Sequence, residues 1–293
     1  MNIKLKNRLR TIAEIGHQIV SGFAGTISSI LRIILFTKIG VAIKSRKYHK
    51  YRKHTNCTIL ANGPSLKDAI EKGEVRLDNV DVFCVNSFCE SKYFWEIKPS
   101  TYFIIDGAFF NPNIERCKKQ VENLIDSLNK VDWEIHLAIP AHAHYGGVLK
   151  GINNPKVKIL RFNTSSIDGY NWFVKIMCGY GFGMLTCINV VIFAIMAALH
   201  MKYKNIYMYG IDHTFCAQLF VDNENCVCSK EHHVYSQEPK IFKLPETNMA
   251  KILGNITQAF VIHDKLEKYS KSQGIKIYNC TKGSFVDSYE RLI

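Results

Sequence analysis

The chain has 293 residues, of which 47% are apolar and 22% charged, with 18 Gly and 7 Pro. That length and composition suit one or two domains around a large core and exclude a disordered, collagenous or low-complexity protein. Ten cysteines are too few for a disulfide scaffold and follow no cleavable secretory signal, so they read as reduced thiols of a cytosolic compartment. The net charge of +13 is unevenly placed. Residues 1–56 hold twelve Lys and Arg against one acid, Glu14, for a net of +11, which leaves only +2 for the rest. The chain therefore reads as a basic arm, 1–56, ahead of a nearly neutral body, 57–293. A body without surplus charge and an arm without a recognisable module argue against nucleic acid as partner.

The arm comes first. Between its basic ends lies an apolar run from Ile12 to Ile43, free of charged residues from Ile15 to Leu31 and then interrupted by Arg32 and Lys38. A spanning helix needs about 20 predominantly apolar residues, so this run is marginal. It predicts one or two amphipathic helices lying in a membrane interface, with Lys and Arg reaching anionic headgroups. Packing on the body, on another copy of the chain in a homo-oligomer, or a true span are the alternatives that the pattern leaves open.

Beyond Thr55 apolar strands alternate with helices. Strands are expected at Cys57–Ala61, Val80–Val85, Thr101–Ile105, Glu134–Ile139, Val157–Phe162, Asn205–Tyr209 and Ile275–Tyr278. Helices are expected at Leu66–Lys72, Ile114–Leu128, Leu185–His200 and Ile256–Ser272. This alternation predicts an α/β fold, a Rossmann-like doubly wound and mostly parallel sheet. Residues 213–250 break the pattern with a polar, Cys- and His-bearing stretch that reads as a lid over a site.

Polar residues directly follow five strands: Asn62, Asn86, Asp106, Asp212 and Asn279. At the carboxyl ends of a doubly wound sheet such residues face one ligand crevice. Asn62-Gly63-Pro64-Ser65 opens a helix, where Gly63 admits close backbone approach, Pro64 suits the first turn and Ser65 adds a hydroxyl. It is neither a P-loop nor a dinucleotide fingerprint.

The runs Ile59-Leu60-Ala61-Asn62-Gly63-Pro64-Ser65-Leu66-Lys67, Asp81-Val82-Phe83-Cys84-Val85-Asn86-Ser87-Phe88 and Ile206-Tyr207-Met208-Tyr209-Gly210-Ile211-Asp212 resemble the small bacterial sialyltransferases that use CMP-sialic acid. Broader relatives by the same blocks are the motility-associated glycosyltransferases and the MptE-like pterin diphosphokinases. The resemblance implies a membrane-associated glycosyltransferase of surface-polysaccharide biosynthesis, with a nucleotide-sugar donor, most closely a CMP-sugar, and no other cofactor. Its acceptor would be a glycan, such as a lipid-linked oligosaccharide at the cytoplasmic face of the cell membrane.

Carried over residue by residue, Asn62, Gly63, Pro64 and Ser65 would face the nucleotide phosphate and ribose. Asn86 would meet the pyrophosphate side or sugar hydroxyls, Asp106 would be a further donor-site residue, and Thr186 would sit near base and phosphate. Asp212 would accept from ribose hydroxyls. A lid histidine, His233 or His232, would be the general base of an inverting displacement, its intrinsic pKa near 6.5 suiting proton transfer at neutral pH.

The chain departs from the sialyltransferase pattern at two points. Thr214 stands where that family has a tyrosine that stabilises the departing phosphate, and no Arg precedes the position of Thr186. His213 or Tyr235 would fill the first role. His213, Cys216, Cys226, Cys228, His232 and His233 fall close together, but Cys226-x-Cys228 is tighter than zinc pairs and no Asp-x-Asp is present. Metal-independent chemistry is therefore expected. The second functional class is an MptE-like diphosphokinase, which would need a divalent cation at Asp106 and Asp212.

Overall fold

The computed structural model describes residues 3–111, 118–143, 146–231 and 240–293. Its body is an eight-stranded sheet built from β1 (Asn56–Leu60), β2 (Asp81–Val85), β3 (Thr101–Phe103), β4 (Ile135–Pro140), β5 (Val157–Phe162), β6 (Asn205–Tyr209), and two later strands, Lys276–Asn279 and Glu290–Arg291. Every neighbouring pair in it is parallel. From β1 the order runs through β2, β3 and β4 to β5 on one side, and through β6 to the two late strands on the other. The winding reverses between β1 and β6. In an open α/β sheet that reversal opens a crevice at the carboxyl ends of the two strands.

Helices cover both faces, so the strands are apolar on both. Cys57 and Ile59 of β1 belong to a core cluster with α8 (Val190–His200). Leu60 joins the opposite cluster with residues of α3 (Ser65–Glu71), α4 (Lys92–Ile97), α5 (Lys118–Lys130) and α6 (Val148–Gly151). Every residue of α8 from Val190 to Leu199 is buried, as expected of a helix that is apolar all round. It packs between the sheet and α9 (Met249–Ser272). The first helix expected after the arm starts at Ser65, one residue early. The expected Leu185–His200 helix begins only at Val190, because the Asn189 side chain accepts from the Ile192 amide and caps it there.

The described residues of the insertion form regular structure. A 3₁₀ turn, Thr214–Gln218, leads into an antiparallel sheet of β7 (Leu219–Val221), β8 (Val227–Glu231) and β9 (Lys240–Lys243). Its first hairpin brings donor atoms of Asp222, Cys226 and Cys228 within 4.8 Å of one another. Asp222 is engaged there as a turn residue, accepting from the Glu224 and Cys226 amides and pairing with Lys243.

The arm is one helix, α1 (Ile3–Phe36), followed by α2 (Ile39–Ser45) and a 3₁₀ turn, Tyr48–Tyr51. A narrow stripe of α1 seats on the loop before α7 (Asn171–Gly179). Ser29 Oγ donates to Asp168 O at 2.8 Å and the Tyr170 amide donates to Thr26 Oγ1; just past α1, Thr37 Oγ1 donates to Phe182 O, beyond α7, at 2.6 Å. A Cβ at Gly25 would press on the Gly169 backbone. From Glu14 onward most of the other described side chains of α1 face outward, with Val20, Phe23, Ile34 and Leu35 all more than half exposed. Ala42, Ser45 and Tyr48 are buried in the body, so the end of the arm is part of the fold. There Asp81, itself buried, accepts from the Lys53 and His54 amides and from the Tyr203 hydroxyl at 2.7 Å.

Candidate active site

At the β1/β6 switch point lies a cavity of about 390 Å³. Its walls are the turn after β1 (Asn62, Gly63, Pro64), the turn after β6 (Gly210 to Phe215), Asn86 after β2, Asp106 after β3, and the first residues of α8. That volume falls in the range of small-molecule sites. Among the described residues that line it, none is Lys or Arg.

The first two turns are interlocked. Asp212 accepts from the Ser65 hydroxyl at 2.9 Å and from the Ser65 amide at 3.3 Å. The Gly63 amide donates to Gly210 O at 3.0 Å. A Cβ at Gly63 would collide with the Asp212 carboxylate and the Gly210 carbonyl, so glycine is the residue this close approach permits. Burial raises the Asp212 pKa above the ordinary carboxylate value, against the lowering effect of the Ser65 donors.

Two amide oxygens are unpartnered. Asn62 Nδ2 donates to Val85 O at 3.1 Å, which ties the β1 turn to β2, and its Oδ1 is buried without a hydrogen bond among the described residues. Asn86 Oδ1 is in the same condition. An orphaned buried acceptor costs about 1–3 kcal/mol, a cost that a ligand O–H or N–H would relieve. Asn86 and His213 both have left-handed backbones (φ 46° and 49°). Such strain persists where the surroundings over-determine it, as at binding sites.

His213 is buried, and burial depresses its pKa to about 4. Its Nε2 lies 3.4 Å from Nε2 of His263 on α9, and His263 Nδ1 lies 2.8 Å from the Tyr289 hydroxyl. His263 is fully buried, with its pKa pushed down to about 3. The sequence pattern alone does not single out His263 or Tyr289. His263 sits beside Ile262 and close to Leu266 on the buried side of α9, where a histidine reads as core.

The other expected positions divide between the cavity and the scaffold. Ser65 touches the site through Asp212, and Asp106 lines the cavity while accepting from the Ala108 amide. Thr186 precedes α8 instead of opening it; its hydroxyl bonds that of Ser166, and it is not among the cavity residues. Asn279 is no part of the crevice. It is fully buried and donates to Ser284 Oγ and Val286 O, a structural role in the turn after the seventh strand of the sheet. The expectation of five polar strand ends around one crevice therefore reduces to four. His232, His233 and Tyr235 lie outside the described residues.

A family model described as 6-hydroxymethylpterin diphosphokinase MptE-like matches residues 36–218, from the end of α1 to the 3₁₀ turn after β6. No curated protein matches the chain. Among solved structures, the MAf glycosyltransferase from Magnetospirillum magneticum AMB-1 aligns with a TM-score of 0.47 at 13% identity. The alignment covers 87% of this chain and 38% of that one.

Proposed function

The chain belongs to the 6-hydroxymethylpterin diphosphokinase MptE-like family, and we propose that it is a nucleotide-dependent transferase and that the group it moves is a sugar. The observation that carries this reading is the acceptor-rich, cation-poor switch-point cavity. Asn62 Oδ1, Asn86 Oδ1 and the Asp212 carboxylate offer oxygens to ligand hydroxyls and amines. Ribose, a cytosine amine and a sugar supply such donors, whereas an ionised phosphodiester group supplies none. The donor proposed is a nucleotide sugar, with a CMP-sugar first. His233 or His232 would take the proton of the acceptor hydroxyl, and displacement would invert the anomeric centre without a metal.

Diphosphoryl transfer, as the name of the matched family describes, is the second reading. Asp106 and Asp212 both line the cavity and are the carboxylates that would hold a divalent cation for it.

The acceptor proposed is a lipid-linked glycan at the cytoplasmic face of the membrane. Residues Glu14–Phe36 form a helix long and apolar enough to cross a bilayer, with mean hydropathy 1.8. One side of its second half is taken up by the body through Thr26 and Ser29, and Thr37, the residue after it, bonds the body as well. A helix seated in this way favours lying in the interface over spanning it.

The test is calorimetric titration of CMP and CMP-sugars. The full chain should bind, and Asp212→Ala should weaken binding by about 1.5–3 kcal/mol, the range for a hydrogen bond to a charged group. Unchanged affinity in that variant would place the nucleotide elsewhere.

A further inference from the structure

The cavity must meet phosphate charge, yet the described residues lining it include no Lys or Arg. One side chain there has its protonation dictated from behind. His213 Nε2 faces His263 Nε2 at 3.4 Å. Between two neutral imidazoles that contact holds a single proton, so one ring must donate and the other accept. The next contact decides which. His263 Nδ1 lies 2.8 Å from the Tyr289 hydroxyl, which has no other hydrogen-bond partner among the described residues and belongs to a buried side chain. If His263 Nδ1 carried the proton, the Tyr289 O–H would be left buried and unpaired, at the cost of a desolvated donor. The favoured arrangement therefore has Tyr289 O–H donating to His263 Nδ1. His263 then carries its proton on Nε2 and donates it to His213 Nε2. The proton of neutral His213 is left on Nδ1, which makes no hydrogen bond to the described residues.

We infer that His263 and Tyr289 are positioning residues that lock His213 in its Nδ1–H form, as a fixed N–H donor to an anionic oxygen of the ligand in the switch-point cavity. His213 is then the neutral counterpart of the phosphate-stabilising tyrosine missing at Thr214, and not a general base, since its free nitrogen carries the proton. Phe215 and Phe260 hold the His213 ring edge-on, with centroids at 5.3 and 6.2 Å, and burial keeps both rings neutral at pH 7. The inference rests on the reading of the cavity as a nucleotide site, and the test separates the two.

Long-range proton–nitrogen NMR correlations of the full chain, labelled with ¹⁵N-histidine, report which nitrogen of each ring is protonated. Single His→Gln variants at 213 and 263 give the assignment. At pH 7 His213 should show a protonated Nδ1 and a bare Nε2, and His263 the reverse. Tyr289→Phe, which removes only a hydroxyl, should release the lock into mixed tautomers and weaken CMP binding about fivefold, the loss of one net hydrogen bond. Added CMP should shift the His213 Nδ1 resonance in the wild-type chain. A protonated His213 Nε2, or tautomers unchanged by Tyr289→Phe, would overturn the relay. The expected tautomers with no response to saturating CMP would overturn the ligand contact while leaving the relay standing.

Discussion

Gly63, Asp212 and His213 show how far the site depends on single side chains. Gly63 is fixed by the neighbouring turn: Gly63→Ala should force Asp212 and the Gly210 carbonyl apart. The expected cost is about 1–3 kcal/mol of stability, typical of overpacking, and it should come with lost nucleotide affinity; denaturant titration beside calorimetry would show both. The two buried histidines set an acid limit. Their pKa values, about 4 and about 3 in the fold, lie below the value near 6.5 expected unfolded. The unfolded chain therefore binds more protons below pH 6.5, and stability falls as pH drops from there toward 4. Asp212, with its raised pKa, works oppositely: it favours the fold at low pH, and that contribution declines as pH rises above about 4. Denaturant midpoints at pH 7, 5.5 and 4.5 should fall steadily in the wild-type chain and more gently in His263→Gln. A flat wild-type profile would contradict the buried neutral pair. Asn62, Asn86, Asp106 and Asp212 were legible in the sequence because each directly follows an apolar run. His263 and Tyr289 were not, since their value comes from a contact between residues far apart in the chain.

The strands were the most legible elements. Short apolar runs ended by Asn, Asp or Gly mark β1, β2 and β6 to within a residue, because a buried parallel strand needs apolar groups on both faces. Helix starts were harder. Leu185 to Ile188 are nearly as apolar as α8 itself, so composition alone extends the helix backward, whereas the Asn189 cap fixes its start. Asn189→Ala should cost about 1 kcal/mol, the usual value of such a cap, and should disturb the cavity, because Asn189 lines it. A thermal melt and a CMP titration on that variant would check both, and an unchanged melting temperature would remove the cap from the account. The β7–β9 sheet was unreadable because its strands mix Lys, Ser and Cys with apolar residues and cover no core on both sides.

At the scale of the molecule, a charge count separated a basic arm from a neutral body, and the physical division lies earlier than that count implies. Ala42, Ser45 and Tyr48 are buried, and the Lys53 and His54 amides bond Asp81. A truncation that begins near His54 would therefore cut into the fold. A chain starting at Lys38, without α1, should stay folded and bind CMP while losing most binding to anionic liposomes. The full chain should bind them less as salt rises, because part of the attraction is screened charge. Equal liposome binding by both chains would assign α1 another role, such as pairing with a second copy.

Whether the group leaving the nucleotide is a sugar is read from the products, identified by mass spectrometry, when the full chain is incubated with CMP-, CDP-, UDP- and GDP-sugars, and separately with ATP and 6-hydroxymethylpterin. A sugar transferase should slowly release sugar and nucleotide from one of the sugar donors, with CMP-sugars first, undiminished by a metal chelator. Formation of the pterin diphosphate with release of AMP, together with inert sugar donors, would contradict that reading.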